Sequence, residues 1–96
     1  MKVKILGSAI EDLYAGRAFY EKQGEGLGAY FLDTLFSDID SLILHAGIHS
    51  RVSGFHRLLS RRFPYAVYYT TEEDVAVVHR ILDLRRDPNW IRRVLT

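Results

Sequence analysis

The sequence has 96 residues, of which 48% are hydrophobic and 26% charged, and it contains no cysteine. A chain of this length has room for one hydrophobic core, its composition excludes a disordered protein, and the missing cysteine excludes disulfides and thiolate sites. We therefore expect a single domain over residues 1–96 in the cytoplasm, with no membrane segment, because the longest apolar run is too short to cross a bilayer.

The charge is divided unevenly along the chain. Residues 1–50 carry four Lys or Arg and seven Asp or Glu, a net charge of −3, whereas residues 51–96 carry nine Arg and five Asp or Glu, a net charge of +4. The basic half can attract an acidic partner locally, but the total of +1 is too small for strong non-specific binding of nucleic acid. A solvated charged surface explains the same asymmetry.

The first predicted elements are a strand and a helix. Residues 2–6 (KVKIL) alternate between polar and apolar side chains, which predicts a short strand ended by Gly7. Ser8 and Glu11 have the spacing of a capping box, so we expect a helix to begin at Ser8 and to run to about residue 22. Its expected core residues are Ile10, Leu13, Ala18 and Phe19, and its expected solvent-exposed acids are Glu11, Asp12 and Glu21.

A second, longer helix is predicted after a glycine-rich turn. The segment GEGLG (residues 24–28) does not follow a strand, as a phosphate-binding loop would, and therefore predicts a turn between two helices. Apolar side chains then recur at helical spacing, and Gly47 is expected to end the helix. The apolar positions are Leu27, Phe31, Leu35, Ile39, Leu42 and Ala46.

The second half of the chain predicts three strands and a short helix. From Gly54 the period changes to two, and FHRLLSR, YAVYYT and DVAVVHRILDL predict strands joined by connections too short for crossover helices. Asp87 and Pro88 predict the start of a C-terminal helix. The expected fold class is α+β, a two-helix hairpin packed on one face of a small, mostly antiparallel sheet, in the order β-α-α-β-β-β with a short C-terminal helix.

Three stretches of sequence carry a family resemblance: YFLDTL after the glycine turn, RRFPYAVYY at the central strand, and RRDPNW near the end. In this order and spacing, from Ser8 to Trp90, the chain resembles the RelE/ParE superfamily of toxins from type II toxin–antitoxin modules, which include plasmid stabilization systems. The resemblance implies a toxin neutralised by a cognate antitoxin, ParD-like or similar, through which the complex would bind operator DNA. ParE-like members inhibit DNA gyrase, whereas RelE-like members cut mRNA in the ribosomal A site.

The residues favour the ParE-like branch. Cleavage of RNA through its 2′-hydroxyl needs a general base, a general acid and cations around the phosphate. Every lysine lies at or before Lys22, arginine stays protonated, and Trp90 stands where a terminal catalytic side chain is expected from the resemblance. If the chain is a ribonuclease, its catalytic residues would be His56, Arg57, Arg61, Arg80 and His79, although a hydrogen-bonded structural role explains both histidines.

This incomplete set of catalytic residues predicts a ParE-like toxin that binds DNA gyrase or another protein and has no catalytic step. A RelE-like, ribosome-dependent mRNA endonuclease is the alternative function. A degenerate relative that acts as an antitoxin sponge or repressor partner is the third possibility.

A partner surface is expected on the sheet. Both faces of the central strands are apolar, and because two helices cover only one face, the other is expected to be exposed and to contact a partner. Arginine suits such an interface through its bidentate pairing with carboxylates, although arginine stems can also pack over a sheet with their heads in water. The expected target- or antitoxin-binding residues are Arg57, Arg61, Arg62, Arg80, Arg85, Arg86 and Trp90.

No metal site and no cofactor are predicted. His45 and His49 have a helical spacing that could hold a metal, but Gly47 lies between them and no third ligand is near in sequence, which favours a frayed helix end. The tyrosines of the YAVYYT segment could stack on bases, but cross-strand aromatic packing explains the same residues and is favoured.

Overall fold

The computed structural model describes all 96 residues, which form a five-stranded sheet with helices on both faces. No helix in it has the length and apolar character needed to cross a membrane. The elements in chain order are β1 (Lys2–Ile5), α1 (Gly7–Glu21), α2 (Leu27–Asp40), α3 (Leu42–His45), β2 (Arg51–Val52), β3 (Phe55–Leu59), β4 (Tyr65–Glu72), β5 (Val75–Asp83) and α4 (Pro88–Leu95).

The sheet has the strand order β1-β5-β4-β3-β2. Strands β3, β4 and β5 form the predicted antiparallel meander, and β1 lies parallel to β5 at the edge. The α+β class and the element order predicted from sequence are therefore confirmed. Strand β2 was missed, because two residues are too few to show an alternating pattern; it pairs Arg51 with His56 of β3.

The predicted capping box at the start of α1 is wrong. Helix α1 begins at Gly7, and no side chain caps its first turn. The Ser8 hydroxyl instead donates to the backbone carbonyl of His79 in β5, at 2.7 Å. Because Leu6 is also hydrogen-bonded to β5 through its N–H, the sheet positions the first turn of the helix and takes up the side chain that a local cap would use.

The buried face of α1 also differs from the prediction. Leu13 is buried as expected, but Ala18 and Phe19 are exposed. The face that packs inward instead carries Ala9, Leu13, Gly16 and Tyr20. The ring of Phe31 lies directly against the Gly16 backbone, and this close approach, available only at a residue without a side chain, selects the face of α1 that contacts α2.

The second predicted helix is interrupted at Ser41. Its hydroxyl donates to the carbonyl of Asp38 at 2.6 Å, and the chain continues as the single turn of α3. At the other end, Gly26 adopts φ = 85°, a left-handed conformation that suits glycine, and the Glu21 carboxylate accepts from the N–H groups of Gly26 and Gly28. The predicted turn is therefore confirmed. The expected core residues Phe31, Leu35, Ile39 and Leu42 are fully buried, whereas Leu27 is exposed.

The main core lies between the sheet and the α1–α2 hairpin. Its centre is aromatic: Phe31 contacts Tyr20, Phe63 and Tyr65 with ring centroids 4.9–5.2 Å apart. Tyr69, Val67 and Ile81 extend this core along the strands, together with Leu13, Leu35 and Leu42.

Helix α4 covers part of the opposite face of the sheet, which corrects the expectation that this face would be exposed. Ile91 and Leu95, four residues apart on one side of α4, pack against Ala66, Tyr68 and Leu82. The helix begins as predicted, with Pro88 in its first turn and the Asp87 carboxylate accepting from the Asn89 N–H at 2.9 Å. This second core is small, and it removes from water the part of the predicted partner surface around Tyr68 and Leu82.

Candidate functional site

Arg57 occupies an unusual position beneath α4. It lies on β3 opposite Tyr68 of β4, whose side chain is fully buried. The Nε atom of Arg57 is buried and has no hydrogen-bond partner. Every other buried side-chain nitrogen or oxygen in the chain has a partner. Burial raises the pKa of Tyr68, and the nearby Arg57 guanidinium offsets part of that rise.

A cavity of about 300 Å³ opens beside Arg57, between the β2–β3 hairpin and α4. We call it the α4 cavity. Arg92 of α4 contributes a second guanidinium group to its lining, and no Asp or Glu lines it. The lining residues are Val52, Ser53, Arg57, Tyr68, Leu84, Pro88, Ile91 and Arg92.

Arg80 is held at the edge of the sheet by α1. Its Nε and Nη2 donate to the two carboxylate oxygens of Asp12, at 2.7 and 2.9 Å. These hydrogen bonds raise the pKa of Arg80, although its partial burial opposes the rise. Asp12, expected in solvent, is therefore a partly buried structural partner.

Arg61 lies on the helical side of the sheet. Its Nε donates to the carboxylate of Asp38 at 3.3 Å, and Asp38 also accepts from the Ser60 hydroxyl at 2.7 Å. Asp38 is only 2% exposed, so this pair ties the β3–β4 turn to α2. The neighbouring Arg62 is exposed, with no side-chain hydrogen bond or ion pair.

Arg85 and Arg86 lie at the turn between β5 and α4. Arg85 donates to both carboxylate oxygens of Asp83. Burial raises the pKa of Asp83, but the hydrogen bonds from Arg85 lower it by more, so the net pKa is lowered. The Arg86 guanidinium lies 3.8 Å from the ring centroid of Trp90. Arg86 and Trp90 line a depression of about 290 Å³ that also reaches Tyr65, whose pKa is raised to about 12, chiefly by burial.

The two strand histidines have structural partners. His56 stacks on Tyr69 and its Nδ1 is 2.8 Å from the carbonyl of His49, while His79 Nε2 is 2.9 Å from the Thr70 hydroxyl. Both border a groove of about 430 Å³, and neither lines the α4 cavity. The predicted catalytic residues therefore lie in four separate places. Arg57 lines the α4 cavity, Arg80 is bound to Asp12 of α1, Arg61 is bound to Asp38 of α2, and the two histidines border this groove.

His45 and His49 do not converge either. His45 ends α3 and is exposed, whereas His49 Nδ1 contacts the Tyr69 hydroxyl. No group of three or more His, Cys, Asp or Glu side chains comes together in the chain in a way that could hold a metal ion.

Sequence reasoning missed three residues that shape these sites. The sequence predicts Asp12 in solvent and gives no signal for Asp38, yet each carboxylate pairs with a predicted arginine. Arg92 was not selected, because the predicted α4 was not placed on the sheet. Its position directly after the apolar Ile91 is the available signal, since the neighbour of a buried helical residue lies at the rim of the contact.

Comparisons with known proteins support the fold. No protein-family model and no curated protein matches the sequence. Among solved structures, a chain from the chromosomal ParDE toxin–antitoxin system of P. aeruginosa aligns with 88% of this chain and 96% of its own length, at a TM-score of 0.79 and 21% sequence identity. The chain has a ParE-like fold. The resemblance inferred from sequence is therefore confirmed at the level of the fold.

Within this ParE-like fold, the arginines divide into two kinds. Arg61, Arg80 and Arg85 each have an aspartate partner in the same chain. Arg57 has none, and it is the one predicted binding residue that lines the α4 cavity. Arg62 and Arg86 also lack an aspartate partner, so what distinguishes Arg57 is that it is partly buried in the α4 cavity.

Proposed function

We propose that this chain is the toxin of a type II toxin–antitoxin module, is neutralised by a cognate antitoxin, ParD-like or similar, and acts in the cytoplasm by binding a protein target such as DNA gyrase. The observation that carries the proposal is the likeness of fold to a chain of a ParDE system over 88% of the present chain. The order of the elements and the sequence stretches that resemble ParE-like toxins support the same function.

The geometry of the charged residues supports binding rather than catalysis. An acid–base mechanism requires two groups that exchange protons within reach of one substrate. The α4 cavity offers arginine, serine and a tyrosine whose pKa is raised by burial. His56 and His79 share a separate groove, but each has a hydrogen-bond partner within the chain, the His49 carbonyl and the Thr70 hydroxyl. A protein that acts by occupying a target needs no such pair.

The remaining exposed apolar surface supports an antitoxin partner. The most exposed aliphatic residues of the chain lie just after α2. Ile43, Leu44 and Ile48 are 48%, 83% and 73% exposed, respectively. Exposed apolar patches on small proteins usually mark interaction sites, and an antitoxin that covers this segment would remove its side chains from water.

Toxicity and its neutralisation are the first test. Induced expression of the chain in a bacterial host should stop growth, and co-expression of a short neighbouring gene with an acidic, amphipathic tail should restore it. The matched pair Leu44→Ser and Ser50→Ala separates the apolar patch from its surroundings: the first variant should need more antitoxin for rescue, the second should not. Growth that continues at full expression would favour a degenerate, non-toxic relative.

The target is tested with purified components. Gyrase, relaxed DNA and the protein at micromolar concentration should give inhibited supercoiling or trapped cleavage complexes. Primer extension on translated mRNA in the same host is the companion measurement. Unimpaired gyrase together with mRNA cleavage that is lost in His56→Ala or Arg80→Ala but kept in Arg62→Gln would establish the ribonuclease instead.

A further inference from the structure

The α4 cavity contains a cation without a counter-ion. Arg57 is half-buried, and its Nε atom is fully buried with no acceptor. Buried donors in folded proteins are nearly always paired, because an unpaired one loses its hydrogen bonds to water without replacement. The Tyr68 hydroxyl is a neutral acceptor within reach of the Arg57 guanidinium, but the buried Nε has no acceptor in the folded chain, and no carboxylate lines the cavity.

The other ion pairs of the chain show what kind of acceptor this fold uses for arginine. Arg80, Arg61 and Arg85 are each paired with an aspartate. Arg61 and Arg85 are more exposed than Arg57, and yet they have carboxylate partners. Arg57 lies in a cavity lined by a second guanidinium, that of Arg92, and by no carboxylate. An anion from outside the chain would give Arg57 the kind of partner that the other three arginines have.

The walls of the cavity restrict the identity of that anion. Val52, Leu84 and Ile91 give it an apolar side, so its ligand must carry apolar groups next to the charge. The aromatic residue in the lining, Tyr68, is 1% exposed and has no free face on which a base could stack. With a net charge of only +1, the chain also lacks the field that a nucleic-acid site normally uses.

We propose that the α4 cavity binds the side-chain carboxylate of a glutamate or aspartate, flanked by apolar residues, from a partner polypeptide. The carboxylate accepts from Arg57 and Arg92, as Asp12 accepts from Arg80 in the same sheet, and the flanking residues contact Val52 and Ile91. This proposal rests on the proposed function, because the partner polypeptide is the antitoxin, whose expected acidic, amphipathic tail carries carboxylates next to apolar residues.

Nuclear magnetic resonance titration tests the site directly. The probe is the peptide acetyl-Leu-Glu-Leu-amide, and its matched control is acetyl-Leu-Gln-Leu-amide, which differs only in the charge. The Arg57 Nε–Hε signal should shift in a saturable way with the glutamate peptide, and the glutamine peptide should bind about tenfold more weakly, because a charge-assisted pair is lost. Followed through the backbone amide signals of Val52 and Ile91, which line the cavity, binding of the glutamate peptide should weaken several-fold in both Arg57→Lys and Arg92→Gln.

The control variant is Arg93→Gln, which removes a neighbouring charge from α4 outside the cavity lining. Its affinity should stay within about twofold of the unchanged protein. Equal binding of the two peptides, or an Arg93→Gln effect as large as that of Arg92→Gln, would overturn the proposal. Stronger displacement of the peptide by uridine 3′-monophosphate than by free glutamate would overturn it in favour of a phosphate site.

The growth assay separates this proposal from the function on which it rests. If expression stops growth but the glutamate peptide leaves the Arg57 signal unchanged, the cavity proposal fails and the toxin proposal stands. If the peptide binds as expected but expression is harmless, the carboxylate site stands and the toxin proposal fails.

Discussion

Arg80 and Asp12, 68 residues apart in the chain, form a two-point ion pair that joins β5 to α1. The same carboxylate accepts from the Ile81 N–H at 2.9 Å, beyond the end of the pairing between β1 and β5. The Asp12 side chain thus takes the place of the strand partner that β5 lacks at Ile81. It also neutralises Arg80, an arginine that the sequence predicts for a binding site.

Replacing Asp12 tests this relationship. Asp12→Ala leaves Arg80 partly buried without a counter-ion and leaves the Ile81 N–H unpaired, so the free energy of unfolding should fall by about 2–4 kcal/mol. Urea denaturation followed by circular dichroism measures the change. Glu11→Ala, which removes an exposed acid without hydrogen bonds from the same turn of α1, should change it by less than about 0.5 kcal/mol. Similar losses for the two variants would contradict the structural role of the pair.

Replacing Gly16 by alanine should lower stability, although this substitution in a helix usually raises it. Alanine normally stabilises a helix relative to glycine by about 1 kcal/mol. A Cβ atom at Gly16 would lie 2.5 Å from the Phe31 ring, so Gly16→Ala should instead lower stability by about 1–3 kcal/mol through overpacking. At Gly7, in the same helix, a Cβ atom meets nothing within 4 Å, and Gly7→Ala should be neutral or stabilising. Thermal unfolding of both variants measures the contrast, and a stabilised Gly16→Ala protein would show that α1 and α2 pack less closely.

A histidine–tyrosine contact predicts a pH dependence of stability. The Tyr69 hydroxyl accepts from the Gly47 N–H and contacts Nδ1 of His49. The hydroxyl that accepts from Gly47 still has its own proton to donate, and neutral His49 with its hydrogen on Nε2 offers Nδ1 as the acceptor. Burial lowers the pKa of His49, and the neighbouring His56 and His45 lower it further.

The sign of the effect follows from these contacts. As the pH falls, the unfolded chain binds a proton at His49 near the ordinary pKa of 6.5, at a higher pH than the folded chain does. The free energy of unfolding is therefore highest above pH 6.5 and decreases as the pH falls below it. Denaturation at a series of pH values should show this decline. His49→Gln, which keeps an acceptor but does not titrate, should flatten it, while His45→Gln at the exposed end of α3 should largely keep it. An unchanged slope in His49→Gln would assign the titration to another group.

The covering helix α4 should be detachable by a single substitution. Ile91 packs between α4 and the sheet, and Ile91→Ala should cost about 2–4 kcal/mol. Trp90 is the one tryptophan of the chain and lies in α4, so its fluorescence reports on this helix. In the variant the fluorescence transition should precede the loss of circular dichroism, whereas the exposed substitution Arg93→Ala should leave the two coincident. Coincident transitions in Ile91→Ala would mean that α4 unfolds only with the rest of the chain.

Local patterns in the sequence determined the number, type and order of nearly all the elements. The apolar spacing around Phe31 and Leu35 predicts α2 and its buried face, and the alternation of β3, β4 and β5 with short connections permits only a meander. These signals are reliable because they depend on the period of the backbone and on turns a few residues long.

Only the tertiary structure decided which surfaces are covered and which charges are free. The exposure of Phe19 depends on the approach of Phe31 to Gly16, and the loss of the expected sheet surface depends on where α4 folds back. Arg80 is neutralised by a residue 68 positions away, whereas no comparable contact exists for the buried Nε of Arg57. Such pairings join distant parts of the chain, and no local period encodes them, so the candidate site became visible only when the packed elements were in place.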